Sequence, residues 1–299
     1  MKSTASYIRF FLLSFFLLIT VNAALFSQGT DSRRPGGGGI QKNFCLTVYV
    51  NPSKTGITSE EVTGISDLSS TKGSSINGSL DVDYFFSGAA GINFGIGYSG
   101  FSSQLSLDNW SDAYTTKDSE NETYEMRITG KTIVEDQKIG YLSIPVCLAL
   151  RFPAAGKVGF YMKTGIGFDI PVVKSYDGTG VFSYEGYYST YNVVLKDIND
   201  PIIGFYTNRS TSSTGTLEVK SFTMALIASG NIFVSLGESI QILLGVHYKR
   251  SLSNISTYVP PADFLLSSEA DELNSFMAGS SGANVQAVGL SLGLRFYIK

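Results

Sequence analysis

The sequence is poor in the residues that carry most protein chemistry: it has one histidine and two cysteines among 299 residues. Two cysteines exclude a disulfide framework, and one histidine with two distant cysteines gives no zinc-site spacing. Charge is thin as well, at 16% of residues where about a quarter is usual. The net charge of −3 leaves no electrostatic footprint for nucleic acid. Beyond the N-terminus no run reaches about 18 apolar residues, which excludes a spanning helix. No long stretch shows the period of an amphipathic helix either. The chain is rich instead in glycine (32), phenylalanine (20) and tyrosine (17). Low charge with ordinary hydrophobicity implies that much of the surface does not face water.

At the N-terminus, Lys2 and Arg9 precede the apolar stretch FFLLSFFLLIT (10–20), and small residues follow around Val21, Asn22 and Ala23. That order is expected of a secretory signal peptide over 1–23, with an N-terminal membrane anchor as the alternative. Cys45 lies too far downstream to be the acylated cysteine of a lipoprotein signal. Removing Lys2 and Arg9 leaves 20 basic against 25 acidic residues, a mature charge of about −5. Residues 24–41 read as a flexible lead-in, and their four consecutive glycines have no following Lys-Ser/Thr, so no phosphate loop is expected.

From 42 to 299 the chain alternates. Eight period-two segments are expected, at roughly 42–50, 76–86, 91–107, 137–152, 158–173, 216–233, 240–252 and 284–299. One face carries Leu46, Val48, Leu80, Val82, Phe94, Ile96, Leu142, Ile144, Ile166, Leu244, Leu292 and Leu294; the other is mostly Gly, Ser and Ala. Connections of about 25, 29, 42 and 31 residues alternate with turns of four to six, such as SGAA, PAAGK and SLGESI. An even strand count with long loops at one end and tight turns at the other is the pattern of a transmembrane β-barrel. A soluble barrel would need a charged exterior, and an eight-stranded interior suits small residues better than stacked Phe, Leu and Ile. Outward aromatics also gather near the segment ends, as interfacial girdles do: Phe44, Phe86, Phe152, Phe160 and Phe296 at one end, Tyr98, Phe168, Phe222 and Tyr248 at the other.

The stretch IGYLSIPVCLALRF (139–152) tests this pattern, because Pro145 sits in its middle. Proline removes a ladder hydrogen bond. The expectation is therefore a missing bond at Pro145, marked by a bulge or local widening.

The chain end SLGLRFYIK resembles the C-terminal assembly signal of bacterial outer-membrane barrels, with Ser291, Gly293, Phe296 and Ile298 in the signal positions and Lys299 in place of a final aromatic. Two further stretches resemble the outer-membrane β-barrel domain family common in Bacteroidota, which includes the PorT-like proteins. One is GYLSIPVCLALRF, with Tyr141, Pro145, Arg151 and Phe152 at the matching positions; the other is YKRSLSNI (248–255). The resemblance runs over most of 42–299 with gaps at the long loops. It implies an outer-membrane barrel recognised by the barrel-assembly machinery; a secretion role belongs to only some members.

Few residues point to catalysis. His247 has lumen parity, and barrel lipid-A deacylases carry a serine two residues after their histidine where this chain has Lys249. Cys45 and Cys147 share lumen parity but lie on non-neighbouring strands, so free thiols are expected. Asp81, Asp83, Arg151, Lys163, Asp169, Lys249 and Arg295 fall on the lumen face. They are expected to pack as an ion-paired plug, with Asp83, Arg151 and Arg295 at similar depth; a conducting pore is the alternative. The Tyr-rich loop 175–216 is a candidate recognition surface, a solvated loop, or a set of extra strands above the membrane.

The reading is an all-β protein: an eight-stranded antiparallel transmembrane β-barrel with short periplasmic turns and four long extracellular loops, exported to the outer membrane. No catalytic residue, cofactor or metal is expected. It is expected to work as a monomer in outer-membrane lipid, as a non-enzymatic envelope or surface-interaction protein whose loops meet an extracellular or envelope protein. The alternative is a small pore or an accessory component of a transport or secretion system, and a lipid-modifying enzyme is disfavoured.

Overall fold

A computed structural model describes residues 44–298 apart from 155, 199–203, 260, 262–263 and 268–271. The signal peptide and lead-in expected over 1–41 lie outside the described residues. Ten strands form one antiparallel sheet: β1 (Phe44–Ser59), β2 (Ser69–Phe85), β3 (Ala90–Lys117), β4 (Thr123–Pro153), β5 (Val158–Tyr188), β6 (Val193–Leu195), β7 (Arg209–Gly215), β8 (Thr223–Ser235), β9 (Ile240–Ser251) and β10 (Ala283–Ile298). Eight of them close a ring in the order β1-β2-β3-β4-β5-β8-β9-β10, and β10 pairs back onto β1. The expected eight-stranded antiparallel barrel is the observed fold. Closure leaves no free edge, so every ring strand has two partners.

The face assignment follows the alternation. In the lower part of the ring, Val48, Leu80, Phe94, Ile144, Val146, Leu244 and Leu292 are exposed on the outside, while Thr47, Asp81, Asn93, Ser143, Gln241 and Ser291 are buried within. An apolar outside around a polar inside is stable only in lipid. The short turns after β2, β4 and β8 and the pair Phe44–Ile298 all lie at one end.

The long connections differ from expectation. Most of the stretch expected between segments three and four is strand: β3 runs on to Lys117 and β4 starts at Thr123, which leaves only 118–122 as a turn. β4 and β5 have 31 residues each, against the 9–11 that cross a bilayer. The wall therefore stands well clear of the membrane. β8 leaves β5 at Thr223–Asp169, and β7 and β6 take over that edge from Tyr176 to Tyr188. The extra strands are thus built from the Tyr-rich connection. The sixth segment, expected from 216, begins at Thr223 instead; Leu217 and Val219 are buried in an apolar cluster with strand residues of the barrel mouth.

At Pro145 the expected gap is present. The β3–β4 ladder passes from Phe94–Val146 to Gly97–Ser143 with no pairing at Pro145, while β4 stays paired to β5 through Pro145–Gly167. The register is unchanged across the gap, so a missing bond, not a bulge, accommodates the proline. Bulges occur higher: Val172 is extra on β5 opposite Gly140/Tyr141, and β4 has an extra residue between Lys131 and Val134, beside Thr132 with φ 51°.

Candidate functional site

Among the described residues, three carboxylates of the lower lumen meet three cations in two groups. Toward the short-turn end, Arg295 Nη2 donates to Asp83 Oδ2 at 2.8 Å and its Nε donates to Thr47 Oγ1 at 3.0 Å. Tyr161 Oη donates to Asp83 Oδ1 at 2.7 Å, and the Arg295 guanidinium lies 3.9 Å from the Tyr161 ring centre. Lys163 pairs with Asp81 and lies 4.5 Å from the Tyr49 ring centre. Asn93 Nδ2 bridges the two acids, at 2.8 Å from Asp83 Oδ1 and 3.4 Å from Asp81 Oδ2. Gly95 makes room here, since a Cβ on it would run into Asp81 Oδ1. Further toward the long-loop end, Lys249 Nζ donates to Asp169 Oδ1 at 2.8 Å, Ser143 Oγ at 2.6 Å and Ser99 Oγ at 3.0 Å. A cavity of about 60 Å³ lies among Asn77, Ser99, Lys163, His247 and Lys249.

Asp81, Asp83, Lys163, Asp169 and Arg295 are all buried, whereas Arg151 stands apart from this network. Its Nε donates to the Gly88 carbonyl at 3.0 Å, and its guanidinium stacks 4.0 Å from the Phe85 ring centre at the short-turn mouth. Of the two bases expected beside Asp83, Arg295 meets it and Arg151 does not. Parity could not reveal this, because Arg151 follows Ala149 on the same face but reaches the rim. Lys249, passed over as a site residue, is the base that meets Asp169.

Below the charges, Cys45, Tyr49, Phe85, Ala149, Tyr161, Phe233 and Leu243 form an apolar floor. Cys45 and Cys147 are free and buried. Of the C-terminal signal residues, Ser291 is buried in the lumen, Gly293 packs against the Tyr49 ring, and Phe296 and Ile298 alternate onto the outer side. Of the motif residues, Tyr141 is buried with its ring 5.9 Å from that of Phe101, and Phe152 is near the lower end of β4. His247 Nε2 lies 3.2 Å from Ser53 Oγ, a contact between residues 194 apart that no local pattern signals. Ser53 also donates to the Asn51 carbonyl at 2.8 Å and accepts from Asn77 at 3.1 Å, and His247 Nδ1 faces the Leu290 carbonyl at 3.3 Å. Among the described residues no carboxylate orients the imidazole, and the Ser53 hydroxyl hydrogen is already given to the Asn51 carbonyl, so Ser53 is not set up as a nucleophile.

Above the charges, Ile57, Phe101, Ile139, Tyr141, Leu217, Val219, Ile255, Met277 and Val285 form an apolar cap. Met277 arrives on a 3-10 turn, Phe276–Gly279. Glu135 holds that turn: its carboxylate accepts from Ser275 Oγ at 2.8 Å, the Phe276 N–H at 2.9 Å and Gln137 Nε2 at 2.6 Å. Burial pushes the Glu135 carboxyl above its usual range, against the pull of these three donors. Higher still, Leu105, Leu107, Trp110, Met126, Ile128, Phe182, Tyr184 and Phe205 build an ordinary apolar core. At the tip Tyr124 stacks on Tyr188 at 5.1 Å, and Tyr188 and Tyr191 donate to Asp118 and Glu122 at 3.0 and 2.7 Å. These side chains border a cavity of about 470 Å³.

The chain is similar to several solved structures. The Yersinia pestis attachment invasion locus protein Ail, in complex with a heparin analogue, aligns at 10% identity and TM-score 0.31 over 85% of this chain and 99% of that one. OprG of Pseudomonas aeruginosa aligns at 11% identity and TM-score 0.37, over 86% and 96%. The outer membrane protein AlkL aligns at 12% identity and TM-score 0.36, over 90% and 97%. No curated protein sequence matches the chain. Over residues 26–257 the chain matches the outer membrane protein beta-barrel domain, and with a closed ring that is apolar outside and polar within, it belongs to that family and resides in the outer membrane.

Proposed function

We infer that this barrel is a closed, non-enzymatic surface-interaction protein, whose membrane ring carries a rigid extracellular platform ending in the Tyr124–Tyr188–Tyr191 tip. The observation that carries the reading is the filled lumen: apolar floor, paired charges and apolar cap succeed one another along it. The tip presents tyrosine, which gives contact area with a polar end, to an extracellular or envelope protein. Reconstitution in planar bilayers tests the closed state. No stepwise conductance is expected, and reproducible unitary steps would overturn the reading. A transport or secretion-accessory role is favoured by one observation, the cavity of about 60 Å³ beside Lys249 and His247.

Several finer features belong to the same reading. Residues 1–23 act as the signal peptide and 24–41 as a lead-in. Ser291, Gly293, Phe296 and Ile298 signal to the assembly machinery. The chain is a PorT-like member of the family, of the kind common in Bacteroidota, and the working state is a monomer. The Ser53–His247 contact lacks an acid and its serine already donates to a carbonyl, which supports the absence of hydrolase chemistry.

A further inference from the structure

The wall made by β2, β1, β10 and β9 is not smooth. The β1–β10 ladder passes from Val50–Leu292 to Ser53–Gly289 and skips Pro52, which has no N–H to give. On the other side, the β2–β3 register shifts between Lys72 and Gly78. A Cβ on Gly289, which is on the lumen side of β10, would run into the Pro52 carbonyl oxygen, so the glycine lets the two backbones close up beside the break. On the lipid face beside this break lies a shallow, open groove of about 620 Å³, lined by Pro52, Ile76, Val246, Val288 and Leu290, with Lys54 at its outer end.

Three cations crown this groove. Lys54 pairs with Ser74 on β2 and Val288 on β10. The Lys72 side chain lies over Gly56, and so does that of Gln286, whose strand partner on β9 is Arg250. The three stand on strands spanning three interstrand spacings, roughly 14 Å. On β1 and β2 the cation stands beyond the last large exposed apolar residue, Val50 before Lys54 and Ile76 before Lys72; on β9 Val246 and Tyr248 precede Arg250. None forms an ion pair among the described residues. At the short-turn end the corresponding outer positions are Phe44, Tyr84 and Ile298.

We propose that this groove and its crown bind one phosphorylated glycolipid of the outer leaflet, an acyl chain lying in the groove and the phosphate on Lys54, Lys72 and Arg250. The long-strand end is the outer side of such barrels, so the crown lies at the outer headgroups. Long basic side chains cover apolar surface with their stems while their heads reach the polar layer. Ser74 and Gln286, between the cations, offer hydrogen bonds to sugar hydroxyls, which a simple phospholipid lacks. Lys138 on β4 makes the contrast: it too follows a lipid-facing residue, Leu142, but it does not line this groove, and Asp136 lies two residues beyond it. The proposal does not depend on the lumen being closed.

The test is native mass spectrometry of the full-length mature protein from zwitterionic detergent, with phosphorylated lipid A, dephosphorylated lipid A and phosphatidylglycerol as probes. Heat-modifiable gel mobility confirms that each variant is folded. One phosphorylated lipid A per barrel is expected to be retained, well above both other probes. Each single change, Lys54→Gln, Lys72→Gln or Arg250→Gln, is expected to weaken retention about fivefold, the effect of one cation beside an anionic headgroup. Val288→Trp, which fills the groove from the lipid side, is expected to weaken it with the charges intact, and Lys138→Gln to leave it unchanged. Equal retention of dephosphorylated lipid A, equal retention of phosphatidylglycerol, or an equal loss in Lys138→Gln would each overturn the site.

Discussion

In the lower half of β4, Leu142, Ile144 and Val146 face lipid while Ser143 and Cys147 face the lumen; in its upper half, Met126, Ile128 and Ile133 face inward and Thr129 and Lys131 face water. The same sheet thus carries two opposite solvent contracts. In lipid the barrel keeps its polar groups inside, where Asp83–Arg295, Asp81–Lys163 and Asp169–Lys249 neutralise one another. In water it keeps its apolar groups inside, around Trp110, Phe182 and Phe205. The changeover takes two steps. Between Ile139 and Leu142 the apolar phase moves from inward to outward positions without any turn of the strand. Near Thr132 the strand itself turns over, so that even-numbered residues become the inward ones. What changes at the membrane surface is therefore chemistry, and geometry follows later.

Breaking one lumen pair should cost most. Asp83→Ala strands Arg295 in the lumen, and a fall in stability of about 3–5 kcal/mol is expected, read by urea unfolding in lipid vesicles. A loss below about 1 kcal/mol would mean that water reaches Arg295. Next comes the outer face: Val146→Arg should cost about 2–4 kcal/mol, while Thr129→Arg, outward in the extension, should stay within about 0.5 kcal/mol. If the two cost the same, the membrane surface does not lie between them. Glu135→Ala removes the acceptor for Phe276 N–H and Ser275, with an expected cost of about 1–3 kcal/mol. The readout is faster hydrogen exchange and proteolysis over 272–282, with the ring unchanged. The smallest effect is one of pH at the tip. Backbone hydrogen bonds, above all from the Glu122 N–H, hold the Asp118 carboxyl below its ordinary 3.8. A lowered pKa stabilises above the unfolded value and is lost as pH falls through the folded one. The 118–122 turn should therefore keep its amide protection above about pH 5 and lose it below 3.8, while the lower ring keeps its own.

Much of the ring was legible, and the extension was not. Alternation placed the lipid-facing halves of all eight ring strands because lipid demands a strong apolar signal at every second residue. Above the membrane the apolar residues move to the other phase and are interleaved with Ser, Thr and Asp, as in DNWSDAYTTK, which reads as loop. Ile139 and Ile133, inward and opposite in phase to Leu142–Leu150, were the available clue. For the candidate site, parity found Asp81, Asp83, Lys163, Asp169 and Arg295 on the lumen side. It gave Arg151 a place in the network that the rim contact with Phe85 takes away, and it left Lys249 without a partner.

Sequence alone determined which face of each strand meets lipid, because that depends only on neighbours two residues apart along one chain. It also determined that a break falls at Pro145, since the missing N–H is a property of the residue. Only the tertiary structure decided which acid meets which base, that Ser53 meets His247, and that a shallow groove opens on the outer wall at Pro52. Those depend on the register at which β10 closes onto β1 and on where each rung of the ring stands, and such long-range alignment is written in no local stretch of the chain.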